Sequence, residues 1–313
     1  MNVVVTGSLG YDYIMDFSGK FADRIRPENI HKISLSFLAD KLNKQFGGTA
    51  GNIAYTLKLL GTSPLIQSCA GNDFLLYKKF LQKKSLSTKY IPIIKDVLCG
   101  TYFVVTDRED NQIGTFYKGA LAHNGSLSLT LIDASYDFVV LAPNETKAMK
   151  QYVRECIRLK KPYLYDPAFQ ISEFTKDELR MGITHASVVI GNDYEMDLMR
   201  EKIGVTKKQF SLLAPIMITT LGKKGSLIET KNETISIKPA KIKNDSDPTG
   251  AGDAYRGGFL AGYLRKFDLK TCGQMGSVAA AYTVETYGTV THTYTKKQYC
   301  ERYRKNYGVL LHL

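Results

Sequence analysis

The chain of 313 residues is 44% hydrophobic and 23% charged, a balance that excludes a disordered polymer and leaves enough apolar surface for a sizeable core. Its 42 Lys and Arg against 30 Asp and Glu give a net charge of +12 and a pI near 9.3. The basic residues are dispersed, which suits attraction of polyphosphates and argues against a nucleic-acid-reading arm or groove helix. No apolar run approaches the roughly 20 residues that span a bilayer, and the opening MNVVVTGSLG has no secretory-signal pattern, so a cytoplasmic protein is expected, with no membrane partner. The five scattered cysteines (Cys69, Cys99, Cys156, Cys272, Cys300) contain no C-x-x-C pair, which argues against a disulfide framework and a zinc site.

In chain order, short β-branched runs at 3–5, 138–141, 163–165, 188–190 and 216–219 are bounded by turn residues and read as strands. Helical periodicity covers 52–60, 147–159, 254–265 and 272–286. Alternation of this kind predicts an α/β fold: parallel strands joined by crossovers, with helices on both faces, in a three-layer α/β/α domain. Residues 30–38 and 101–117 instead alternate as half-exposed strands, the second with a polar turn at 108–111, and predict a small antiparallel sheet acting as a lid. The expected division is a core of 1–12, 47–98 and 121–313 and a lid of 13–46 and 99–120. Exposed lid edges leave a monomer and a lid-mediated homodimer both open.

The sharpest local signal is Asp247-Pro248-Thr249-Gly250-Ala251-Gly252-Asp253, running into a helix rich in small residues. Such a turn points unpaired N–H groups, at the positive end of a helix dipole, toward an anion. No Gly-Lys-Ser/Thr follows, so this is not a Walker A loop. On physical grounds Asp253 is either an ordinary first-turn acid or a base that takes a proton from an attacking hydroxyl beside a phosphate.

That heptapeptide resembles the second signature, D-T-x-G-A-G-D, of the ribokinase-like sugar and nucleoside kinases, the phosphofructokinase B superfamily, with Pro248 standing where Thr is common. The resemblance implies a ribokinase-like fold with a β-sheet lid. It makes Asp253 the catalytic base, the Gly250, Ala251 and Gly252 amides an anion hole, and Thr249 part of the nucleotide site. Asp12 after the first strand is similar to the family's sugar-binding Asp, with Asp16 as a rival. Gly47 and Gly48 with Asn52 resemble the first signature, G-G-x-x-x-N, which binds hydroxyls; a helix cap is the other reading. Asn192 and Glu195 match N-x-x-E, implying a Mg²⁺ site reached through water, or simply a cap and a solvated acid. Thr220, Gly222 and Gly225 resemble the T-x-G-x-x-G nucleotide loop, although a plain β-turn has this composition too. Ser277 falls on the expected wall of the ATP adenosine. The family also implies a monovalent cation such as K⁺, with no ligands assigned.

The resemblance spans the chain, and stretches such as GGTAGNIAYTLKLLG, NQIGTFYKGA and YLYDPAFQIS lean toward the bacterial type of adenosine kinase. The lid aromatics Phe103, Phe116 and Tyr117 would then stack on a purine, or form the lid's own apolar face. Phe169 and Gln170 stand where similar enzymes tend to carry two glutamines. The expected reaction moves a phosphoryl group from ATP to the 5′-hydroxyl of adenosine. A ribose or fructose kinase of the same fold, and a non-catalytic nucleotide- or nucleic-acid-binding protein, are the alternatives.

Overall fold

Strand β1 (Asn2–Thr6) reads NVVVT, and its side chains divide between two buried clusters, Val3 and Val5 on one face and Val4 on the other. Strand β7 (Phe138–Leu141) divides the same way, with Phe138 and Val140 opposite Val139 and Leu141. Apolar on both faces, such strands are stable only between two helical layers. The computed structural model describes residues 2–25, 34–109 and 111–313.

The large sheet also takes in β4 (Ser63–Gln67), β8 (Tyr163–Tyr165), β9 (Val188–Asn192), β10 (Met217–Thr220), β11 (Ser226–Glu229) and β12 (Thr234–Ile237). Among the described residues its eight strands run in the order β12-β11-β10-β9-β8-β7-β1-β4; β11 pairs antiparallel with both β10 and β12, and every other pairing is parallel. One face carries α1 (Thr49–Leu59), α2 (Leu75–Lys83), α7 (Ala251–Tyr263), α8 (Leu269–Val284) and α9 (Lys296–Tyr307). The other carries α3 (Thr146–Arg158), α4 (Lys176–Thr184), α5 (Asp193–Ile203) and α6 (Lys207–Phe210). Small residues let α7 lie close to its neighbours: Gly257 meets Thr56 of α1, and Gly258 meets Met275 and Ala279 of α8. From β1 the chain order runs outward both ways, to β4 and to β7, which makes the carboxyl end of β1 the switch point where α/β sheets bind ligands.

Out of that end comes the second sheet. After Gly7-Ser8-Leu9 the chain enters β2 (Gly10–Asp16), which pairs antiparallel with β3 (Lys41–Gly47) and parallel with β5 (Gly100–Thr106); β5 pairs antiparallel with β6 (Gln112–Tyr117). The sheet is therefore mixed, and not antiparallel throughout as its alternating segments suggested. Asp12, expected in the core segment, lies on this sheet. The strand expected over 30–38 is not seen in the described part: residues 30–33 lie outside the described residues, and 34–38 are irregular. The strand forms instead at KLNKQFG, where seven register pairs with β2 override a polar composition that gives no apolar alternation. Residue 110 of the expected turn likewise lies outside the described residues.

Where the small sheet meets the large one, Gly10 is opposite both Gly47 and Gly100. A Cβ on Gly10 would stand 1.9 Å from the Gly100 carbonyl oxygen. Among the described residues, no helix is long and apolar enough to cross a membrane. Because backbone and not a flexible side chain opposes it, Gly10→Ala is expected to destabilise the protein by about 1–3 kcal/mol, read from the midpoint of urea unfolding. An unchanged midpoint would show that the row of glycines is not sterically required.

Candidate active site

The loop Asp247–Gly250 is built around one buried carboxylate. Asp247 Oδ1 accepts from the Thr249 amide at 2.9 Å, and Oδ2 accepts from the Gly288 amide at 3.0 Å, tying the turn to the segment after α8. Gly250 then adopts a left-handed conformation, φ +77°, that a β-carbon disfavours, and α7 starts at the next residue. The Ala251 amide is turned back onto the Pro248 carbonyl at 3.1 Å. Within this turn the amides that make no hydrogen bond are those of Gly250, Gly252 and Asp253, whereas the anion hole was expected from Gly250, Ala251 and Gly252. They cluster at the positive end of α7.

Two cavities meet at this turn. The first, about 430 Å³, is lined by Asp12, Gly48, Asn52, Thr249, Gly250 and Asp253, with Tyr102, Phe116, Phe169 and Thr289 around them. The second, about 490 Å³, is lined by Ala251, Gly252, Thr220, Gly222, Gly225 and Ser277, with Lys223, Lys241 and apolar Ala280, Ala281 and Val284. Consecutive residues of the turn thus serve opposite sides, Gly250 and Asp253 one cavity, Ala251 and Gly252 the other. Thr249, expected on the nucleotide side, lines the first cavity. Ser277 Oγ also accepts from the Ala240 amide at 2.7 Å, so it fixes the wall of the second cavity as well as lining it.

In the first cavity Asp253 is held by Asn52, whose Nδ2 donates to Asp253 Oδ2 at 2.8 Å. Thr289 Oγ1 lies 2.8 Å from Asn52 Oδ1 and 2.8 Å from the Phe46 carbonyl oxygen, orienting the amide. Asn52 was expected to bind hydroxyls, yet both ends of its side chain are engaged within the protein. Burial raises the Asp253 carboxyl above its ordinary value, while the Arg256 charge and the Asn52 hydrogen bond pull the other way. Burial also pushes Asp12 up to about 7, helped by the negative charges of Asp253 and Asp247. Two acids facing one cavity resist ionising together. Asp16, the rival to Asp12, sits at the far end of β2 opposite Lys41 and outside the cavity.

Strand register sorts the lid aromatics. Asp12 is opposite Tyr102, and Tyr102 opposite Phe116, and all three line the cavity. Phe103, one residue on, points to the other face of the sheet and stacks on Tyr13 at 5.1 Å, so its expected contact with the cavity is not made. Phe169 faces Phe116 with ring centroids 6.4 Å apart, whereas Gln170 is buried and accepts from Thr146 Oγ1 at 3.0 Å. Gly47, at the end of β3, adjoins Asp12 without lining the cavity.

Asn192 and Glu195 line neither cavity. They form a capping box at α5, Asn192 Oδ1 accepting from the Glu195 amide and Glu195 Oε2 accepting from the Asn192 amide, each at 2.8 Å. Among the described residues no group of three or more His, Cys, Asp or Glu could hold a metal. An ion carried in on phosphates with its own waters needs few protein ligands. Motif reading singled out neither Thr289 nor Tyr102, and it passed over the buried pair Asp166 and Arg256, joined at 2.5 Å. Charged residues inside apolar-looking helix and strand ends were the available signal.

A model of the pfkB carbohydrate-kinase family matches residues 12–296. A nucleoside kinase of Methanocaldococcus jannaschii is 27% identical over 97% of this chain and 97% of its own. The nucleoside kinase of Burkholderia thailandensis, solved with inosine, is 30% identical, covers 98% of this chain and 99% of that one, and superposes with a TM-score of 0.91. Its ADP-inosine complex gives 0.89, at 30% identity over 98% of this chain and 97% of that one. Its ligand-free form gives 0.83, at 31% identity over 96% and 99%.

Removing the Asn52 donor takes away a hydrogen bond that favours the charged carboxylate, so the Asp253 pKa rises. As the base that the resemblance implies, Asp253 must be ionised to act, so in Asn52→Ala the acid limb of the kcat/KM profile is expected to move to higher pH. A limb that stays in place while turnover falls would show that Asn52 does not act on Asp253.

Proposed function

The chain belongs to the pfkB family of carbohydrate kinases, and we propose that it transfers the γ-phosphoryl group of ATP to the 5′-hydroxyl of a nucleoside, with purine nucleosides such as adenosine and inosine as its acceptors. The observation that carries this reading is a single cavity holding two acids at one end and two aromatic faces, Phe116 and Phe169, beside them. A ribose presents vicinal hydroxyls that Asp12 can accept from. A purine offers a π-face, and stacking is worth about 1–3 kcal/mol per base. A bare sugar offers no π-face to stack on the aromatic pair.

In the proposed reaction the acceptor lies in the first cavity and ATP in the second. Asp12 orients the ribose, and the lid strands bring Tyr102 and Phe116 over it and exclude water. Asp253 takes the hydroxyl proton as the acceptor oxygen bonds to phosphorus and ADP departs. The Gly250, Gly252 and Asp253 amides meet the charge that spreads over the phosphoryl oxygens. Lys241 brings positive charge to the second cavity, which favours the polyphosphate, while Lys223 there is paired with Asp245. Magnesium on the phosphates would neutralise part of their charge, with Glu195 and Asn192 reaching it through its waters.

The test is a panel of adenosine, inosine, ribose and fructose 6-phosphate, reading ADP release and thermal stabilisation. Adenosine and inosine are expected to be turned over and to raise the melting temperature. Equal or better turnover of ribose or fructose 6-phosphate would assign the enzyme to sugars instead. In Asp253→Asn the kcat is expected to fall about 10²–10⁴-fold while inosine still stabilises the fold, and near-normal turnover would remove Asp253 as the base.

A further inference from the structure

Asp253 is not the only charged residue in the first turns of α7. Arg256 follows three positions later, on the same side of the helix, and is 8% exposed. An arginine is almost never buried to this degree unless paired. Its partner is Asp166, fully buried just past the carboxyl end of β8, with Arg256 Nε 2.5 Å from Asp166 Oδ2. A buried ion pair of this kind contributes little net stability, because desolvation offsets the attraction. Folding alone therefore gives no reason for it.

The remainder of the guanidinium points at the anion-binding turn. A β-carbon on Gly252 would stand 2.7 Å from Arg256 Nη1 and 3.9 Å from its Cζ, and no other group comes within 4 Å of that position. From standard backbone dimensions, Nη1 is then no more than roughly 5 Å from the Gly252 amide nitrogen. One phosphoryl oxygen can bridge such a gap. The absence of a side chain at Gly252 is what admits the guanidinium to the turn. Arg256 is also the one positive group whose field reaches Asp253 among the described residues, and the same field reaches Asp166 and Glu195.

We propose that Arg256 is a catalytic residue: its guanidinium, anchored through Nε by Asp166, donates Nη hydrogens to the phosphoryl group during transfer. The inference rests on the kinase reading of the site. As the acceptor oxygen forms its bond to the γ-phosphorus, its proton passes to Asp253, and the bond from that phosphorus to the bridging oxygen breaks with its electron pair leaving on ADP. The transferred oxygens carry the spreading negative charge past Gly252, where a fixed cation stabilises it more than it stabilises bound ATP. Asp166 is a positioning residue in this arrangement. It sets the direction of the fork and balances its charge between turnovers.

The experiment compares wild type with Arg256→Gln, Arg256→Lys and the double variant Asp166→Asn/Arg256→Gln, which leaves no lone buried charge. Each is titrated with ADP and with ADP plus aluminium fluoride, a mimic of the phosphoryl group in flight, without nucleoside, and each is assayed with inosine. In Arg256→Gln the kcat is expected to fall about 10²–10³-fold, with the inosine KM and the ADP affinity within about 3-fold of wild type. The extra affinity conferred by aluminium fluoride should be lost in Arg256→Gln and in the double variant, and partly restored in Arg256→Lys. Recovery of wild-type kcat and fluoride response in the double variant would overturn the proposal and leave the pair a structural one, and so would a kcat within about 3-fold of wild type in Arg256→Gln. If no nucleoside is phosphorylated, the acceptor assignment fails by itself, and the fluoride titration still decides the role of Arg256.

Discussion

A carboxylate proposed to take a proton has to be kept out of water and yet be prevented from holding a proton permanently. The contact between Asn52 Nδ2 and Asp253 Oδ2 meets that requirement, and much of the architecture converges on it. Asn52 belongs to α1, Asp253 to α7, Thr289 to the segment after α8, and the Phe46 carbonyl to β3 of the smaller sheet. Two helices, a loop and the root of the lid are joined through one amide. Burial alone would drive Asp253 toward its neutral form, and the Asn52 donor and the Arg256 charge return part of the ionised population. The small residues along α7 bring it close enough to α1 for the bond to form.

The same turn separates two chemistries in a few residues. Left-handed Gly250 starts the helix so that Asp253 faces the first cavity while Gly252 faces the second. In the proposed transfer an attacking oxygen and a departing diphosphate need opposite approaches to one phosphorus, and a helix start with a cavity on either side offers them. Of the dispersed positive charge noted from composition alone, Lys241 and the Asp245-paired Lys223 line the second cavity.

Much of this was legible in the sequence, for identifiable reasons. Strands such as VVV and FVVL sit between two helical layers, so their composition and not their partners decides their state. The turn 247–253 was legible because glycines and an acid at a helix start serve few structural purposes. β3 was not, because KLNKQFG is a strand only through its pairing with β2. The choice between Tyr102 and Phe103 depended on register, which shifts a side chain to the opposite face with every residue. Asn192 and Glu195 fit two descriptions equally well in the sequence, and only their hydrogen bonds show that they form a cap. Arg256 was hidden by its neighbours, since nothing in AYRGG reveals that its partner is Asp166 at the end of a distant strand.

The triplet of side-chain-free residues at the foot of the small sheet, Gly10 between Gly47 and Gly100, has a mechanical meaning. It forms a crease: a line across three neighbouring strands along which the pleat can change its angle while the ladder stays paired. Tilting about that line would carry Asp12, Tyr102 and Phe116 away together from Asp253 and Phe169, which belong to the larger body. The parting of Phe116 from Phe169 and the opening of that wall of the cavity would then be one motion.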